Sequence, residues 1–160
     1  MDRRSNYPPR QGQGGPPQNE ALNKFKELIK TRGFADDEVM KLSENLGKSL
    51  GSQQQARGER EGKENTRTQL RKFYNLVRVA NTSASAQGTS EEAVKVKLRT
   101  LQAQVAYAVA RRTISDDFKR FFDVAVDKVI SSSDLKKSLA EFATFFEAFY
   151  AYFYFYSPQR

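Results

Sequence analysis

A row of cationic residues in the middle of the chain has the spacing and the chemistry for binding phosphate. Within residues 66–78, spacings of four, four and three separate Arg67, Arg71, Asn75 and Arg78. On a helix such spacings place side chains on one face, and Lys72 lies beside that face. A guanidinium group offers a planar fork of donors that matches phosphate oxygens. The row predicts a polyanion-binding surface, with a solvated helix face as the alternative.

A second cationic segment follows and strengthens the prediction of a polyanionic partner. It contains no acidic residue from position 93 to position 115, and its cations are Lys95, Lys97, Arg99, Arg111 and Arg112. Lys97, Gln104 and Arg111 recur every seven residues and therefore share a helix face. For Tyr107 two interpretations stay open: stacking on a nucleic-acid base, or a core position with its hydroxyl at the rim.

The excess positive charge is concentrated in this region of the chain. Residues 66–112 contain nine cations against Glu91 and Glu92, whereas the whole chain has a net charge of +8. A concentrated basic region favours nucleic acid as the partner. No zinc finger, RRM aromatic signature or KH glycine loop is present, so we expect backbone contacts whose affinity falls with salt.

Composition argues against most catalytic chemistry. The chain has no cysteine and no histidine, which removes thiolate ligands, the commonest general base and the commonest nitrogen ligand for metals. Asp116, Asp123 and Asp127 approach a common helix face, but lysine and arginine lie among them. We interpret these aspartates as helix caps and surface charges. The sequence therefore predicts no enzyme, no catalytic residue, no metal and no cofactor.

Apolar residues at helical spacing predict an all-α protein, and no alternating strand pattern is present. Helices are predicted at about 19–30, 36–46, 66–80, 89–112, 115–130 and 135–156, and the predicted N-caps of the second to fifth are Asp36, Thr66, Thr89 and Ser115. The prediction is a compact helical bundle of about five or six helices, in a single domain over residues 19–156. Residues 1–18, rich in Pro, Gly and Gln, are predicted to be a disordered tail. Gly47 is predicted to end the second helix, before a flexible loop near 47–65.

The last predicted helix is unusually aromatic. Between positions 142 and 156, ten of fifteen residues are Phe or Tyr, which is more than one buried face holds. Three roles remain open for the aromatic residues that one buried face cannot hold: a fully surrounded core helix, an interface with another copy or subunit, and stacking on RNA bases. Its apolar run is too short to span a bilayer, and no secretory signal is visible, so we expect a cytoplasmic protein without a membrane partner.

Three segments resemble the small subunit of type III-A CRISPR effector (Csm) complexes. TQLRKFYNLVR, residues 68–78, resembles that family's hallmark segment. VKVKLRTLQAQVAYAVARR is similar to the helix that follows it in the family, and FFEAFYAYFYFY is similar to the closing aromatic helix. Together they lie within residues 66–156. The long polar loop and the Pro/Gly-rich tail depart from the pattern.

The resemblance implies a non-catalytic subunit of an RNA-guided complex. In that family several copies stack as a minor filament beside the backbone subunits, and other subunits perform cleavage. The implied partners are guide RNA, target RNA, the large subunit, the backbone subunits and other copies of the chain. The implied contacts to the RNA phosphate backbone are Arg67, Arg71, Lys72, Arg78, Lys97, Arg111 and Arg112. The alternative is a helical nucleic-acid-binding adaptor of another ribonucleoprotein or nucleoid system.

Overall fold

The structure, a computed structural model, describes residues 19–56 and 67–158, which form six α-helices and no strand. The helices are α1 Glu20–Thr31, α2 Asp37–Ala56, α3 Arg67–Ala84, α4 Glu91–Ala110, α5 Asp116–Ile130 and α6 Leu135–Tyr156. The predicted all-α helical bundle is confirmed. The predicted tail over 1–18, the predicted cap Thr66 and the 57–65 part of the predicted loop lie outside the described residues.

Side-chain caps fix where several helices begin. Asp36 accepts the Val39 N–H at 3.2 Å, and Ser115 accepts the Phe118 N–H at 3.2 Å, as their sequence positions predict. At α4 the predicted cap Thr89 is wrong by one residue. Ser90 accepts the Ala93 N–H at 3.1 Å, because the Thr89 hydroxyl donates instead to the Ser83 carbonyl at 3.0 Å.

Helix α6 forms the centre of the bundle and contacts α2, α3 and α5. Five of its phenylalanines have no solvent-exposed surface: Phe142, Phe145, Phe146, Phe149 and Phe153. They meet further phenylalanines from α1 and α5, with ring centroids 5.0 Å apart for Phe121 and Phe149. Such dense aromatic packing makes α6 the element against which the outer helices are positioned.

The prediction that Gly47 ends the second helix is wrong, because α2 continues to Ala56. Two glycines in this stretch lie directly against α6. A Cβ added to Gly47 would lie 2.7 Å from the Phe153 nitrogen, and one on Gly51 would lie 3.1 Å from the Phe153 carbonyl oxygen. The glycines allow two helix backbones to approach closely. Residues 47–56 of the predicted loop are helical, and Gly47 and Gly51 pack against α6.

None of the helices in the described ranges is both long enough and apolar enough to cross a membrane.

Candidate nucleic-acid interface

The predicted row of Arg67, Arg71, Asn75 and Arg78, called the stripe from here on, lies on α3 along the contact between α3 and α6. Tyr74, on the same flank as the stripe, stacks on Tyr150 with ring centroids 5.2 Å apart and planes 7° from parallel. The Arg78 guanidinium lies 5.6 Å from the centre of the Tyr74 ring. Arg71, Asn75 and Arg78 are all exposed. Packing of Tyr74 therefore orients the flank so that three of the four stripe residues face solvent.

Arg67, the first residue of the stripe, is held by α6. Its Nη2 donates to the carbonyls of Tyr154 at 3.0 Å and Ser157 at 3.3 Å. Its guanidinium lies 3.8 Å from the centre of the Tyr154 ring. A cation at the last carbonyls of a helix satisfies acceptors that have no partner within the helix and interacts favourably with its dipole. Local spacing carries no signal for this contact, because the partners lie almost ninety residues farther along the chain.

The tyrosine beside this stripe is electrostatically coupled to it. Burial raises the pKa of Tyr150 above its ordinary value, while the neighbouring positive charges of Arg71 and Arg67 act in the opposite direction. Its hydroxyl also lies 3.5 Å from the Arg67 carbonyl. Tyr150 therefore stays neutral near pH 7 and serves as a stacking surface under the stripe.

On α4 the cations divide between two flanks. Arg99 donates to Asp127 of α5 at 2.9 Å, and Gln102 donates to the same carboxylate, so this flank faces α5. Lys97 is two residues from Arg99, about 200° around the helix. It is exposed on the other flank. The expectation that the second cationic segment lacks compensating acids is therefore wrong for Arg99, because α5 supplies one across the helix contact.

The end of α4 presents a tyrosine and two arginines to solvent. Tyr107 is 63% exposed, which contradicts a core position and leaves the other interpretation. Arg111 Nη1 donates to the Tyr107 hydroxyl at 3.1 Å. Arg112 has φ of 60°, and the Thr113 N–H bonds the Ala108 carbonyl at 3.0 Å, so a left-handed residue closes the helix. Arg112 is exposed there in a position that commonly holds glycine.

We call the exposed predicted residues of α3 and α4 the basic surface. Its members are Arg71, Lys72, Asn75, Arg78, Lys97, Arg111 and Arg112. The two helices that present them pack against each other. Among the described residues, none of the six cations of this surface forms an ion pair with a carboxylate. The basic surface is thus positive charge that the described residues leave without a carboxylate partner.

The aspartates considered as a metal site are engaged separately. Asp123 pairs with Lys119, Asp127 pairs with Arg99, and Asp117 lies 3.9 Å from Arg120. Over residues 19–56 and 67–158, no three Asp, Glu, His or Cys side chains gather closely enough to hold a metal ion.

The exposed aromatic residues of α6 lie at its C-terminal end. Tyr152 is 37% exposed, Tyr154 is 50% exposed and Phe155 is 75% exposed. A fully surrounded core helix is therefore wrong for α6: its last turn and a half exposes aromatic rings, and Ala140, Thr144 and Glu147 are exposed before it. The exposed end is an apolar surface that the single bundle does not cover.

Comparison with protein families decides which kind of bundle this is. The family described as Csm2 Type III-A matches residues 36–159. The chain belongs to the Csm2 family. The match covers the three segments that carry the resemblance, together with the whole of α2. No curated protein and no solved structure matches the chain.

Membership of the Csm2 family makes the chain the small subunit of a type III-A CRISPR complex, a structural component of that assembly. The alternative of an adaptor from another ribonucleoprotein or nucleoid system is therefore wrong.

Proposed function

We propose that this Csm2-family chain is a non-catalytic subunit that binds the backbone of target RNA and guide RNA through the basic surface. One observation supports the proposal above the others. Six exposed cations on two packed helices have no carboxylate partner among the described residues. Like charges on one helix face repel each other unless an anionic partner is bound, and RNA supplies such a partner.

Recognition through this surface is independent of base sequence. Guanidinium and ammonium groups bind phosphate oxygens, which every nucleotide shares. In a guide-directed complex, base pairing reads the sequence and the protein follows the backbone. Asn75 lies between Arg71 and Arg78 on the same flank and is placed to bond a phosphate or a 2′-hydroxyl.

Arg67 takes a different part in the proposal. Its Nη2 donor and its ring contact are engaged with the end of α6, so we assign it to positioning α3 rather than to RNA. The remaining stripe residues depend on that anchorage, because they lie on the same helix and flank.

The exposed end of α6 is the surface that we assign to protein partners. Tyr152, Tyr154 and Phe155 combine apolar area with hydroxyl groups, a combination common at interfaces. Stacking of copies into a minor filament, and contact with the large and backbone subunits, require such a surface. The proposal therefore separates an RNA-facing side on α3 and α4 from a protein-facing end on α6.

The proposal is tested by removing two cations from the basic surface of the assembled complex. We expect Arg71→Ala with Arg78→Ala to weaken binding of RNA of any sequence. The slope of log affinity against log salt should fall by roughly one unit per lost phosphate contact. The measurement is RNA binding by the complex across a salt series.

A matched control removes two arginines from elsewhere on the bundle. Arg32→Ala with Arg120→Ala changes the net charge equally but leaves the basic surface intact. If the control variant loses as much of the slope of log affinity against log salt, a localised RNA-binding surface is rejected. The effect would then reflect net charge alone.

A further inference from the structure

Tyr107 is a largely exposed aromatic side chain that lies outside the buried core. With 63% of its surface accessible, it contributes little to the core that Val105 and Ala108 enter from the same helix. It lies in the last turn of α4, just before the cationic pair Arg111 and Arg112. A large ring left in solvent at this place calls for a ligand.

The ring is already held in one orientation. Arg111 donates to the Tyr107 hydroxyl at 3.1 Å, and the guanidinium carbon lies 5.6 Å from the ring centre. An aromatic side chain fixed before binding loses less rotational freedom when a ligand stacks on it. The hydrogen bond thus gives the Tyr107 ring the preorganisation that a stacking surface requires.

The surroundings favour an anionic ligand with a flat apolar part. In the described portion of α3 and α4, the only carboxylates are Glu91 and Glu92, at the opposite end of α4. Val96, the other large apolar residue of α4 that is exposed, lies about 16 Å away along the helix axis. The exposed neighbours of the ring on its own face are the small Ala103 and Ala110 and the cationic Arg111, so no large apolar patch for a protein partner surrounds it on α4.

We propose that Tyr107 stacks on an unpaired base of RNA while Arg111 and Arg112 bind the neighbouring phosphates. An aromatic face next to backbone-binding cations is the combination by which proteins hold single-stranded nucleic acid. A base inside a duplex has both faces covered by its neighbours, so the site selects nucleotides outside regular pairing. The inference rests on the proposed function and adds a single-stranded component to it.

The test follows base stacking by fluorescence in the complete complex loaded with guide RNA. 2-Aminopurine is placed at successive positions of a target RNA, in paired and in deliberately mismatched form. We expect quenching by a stacked ring at mismatched positions with the original chain and with Tyr107→Phe. Tyr107→Leu keeps an apolar side chain but removes the ring. This variant should abolish the quenching and weaken binding of mismatched RNA about tenfold.

Controls separate this inference from the proposed function. Val96→Ala changes an equally exposed large apolar side chain of α4 and should leave the quenching intact. If Arg71→Ala with Arg78→Ala weakens RNA binding while Tyr107→Leu leaves quenching unchanged, stacking is rejected and the backbone contact stands. If Tyr107→Leu instead prevents assembly of the complex, Tyr107 contacts another subunit and the inference is overturned. If neither change alters RNA binding or the quenching, both proposals fail.

Discussion

At the scale of single residues, residue type and spacing predicted which side chains are cationic and share a face, but not which of them are free. Arg67 and Arg71 are both arginines on the α3 stripe. Arg67 donates to two carbonyls at the end of α6, whereas Arg71 is exposed. Arg99 resembles Lys97 in sequence but forms an ion pair with Asp127, a residue of another helix. Such differences depend on tertiary neighbours, which local spacing does not encode.

We expect Arg67→Ala to destabilise the folded bundle by roughly 1–3 kcal/mol. It removes charge-assisted hydrogen bonds and leaves acceptors at the end of α6 without their partner. Arg71→Ala is the matched comparison, because it removes the same group from an exposed position on the same helix and should change stability by about 0.5 kcal/mol or less. Urea unfolding of the two variants measures the difference. Equal stabilities would contradict the positioning role of Arg67.

At the scale of helices, caps and apolar periodicity predicted the bundle well where both signals agreed. Helices α5 and α6 have the expected bounds, since Ser115 caps the first and Asp134 the second. The second helix was predicted ten residues too short, because glycine is typical both of helix ends and of close helix contacts. Only the position of α6 against Gly47 and Gly51 distinguishes the two roles.

The two roles of Gly47 predict opposite effects for Gly47→Ala. In a free helix, alanine is favoured over glycine by about 1 kcal/mol. Here the added methyl group would meet the Phe153 nitrogen at 2.7 Å, and a backbone atom in a packed core has little room to move. We expect destabilisation of about 1–3 kcal/mol.

Thermal unfolding of this variant, with Ser52→Ala on the exposed side of α2 as the control, measures the effect. A higher melting temperature for Gly47→Ala than for the original chain would show that α2 does not pack on α6 in this way.

At the scale of the whole molecule, charge and apolar surface are separated. The uncompensated cations lie on α3 and α4, the exposed aromatics lie at the end of α6, and the remaining helices bring acids and cations in near balance. The sequence predicted this separation along the chain, because the charge excess falls within residues 66–112. Which faces remain open required the packed structure, since every helix has more than one flank.

The central claim is that RNA in the complex lies on the basic surface, and crosslinking of the assembled complex to its bound RNA tests it most directly. Mass spectrometry then locates the modified residues. We predict crosslinks at Lys72 and Lys97 and at neighbouring positions of α3 and α4. Lys24 and Lys41, equally exposed on α1 and α2, should remain unmodified. Crosslinks at Lys24 and Lys41 with none on α3 or α4 would contradict the account.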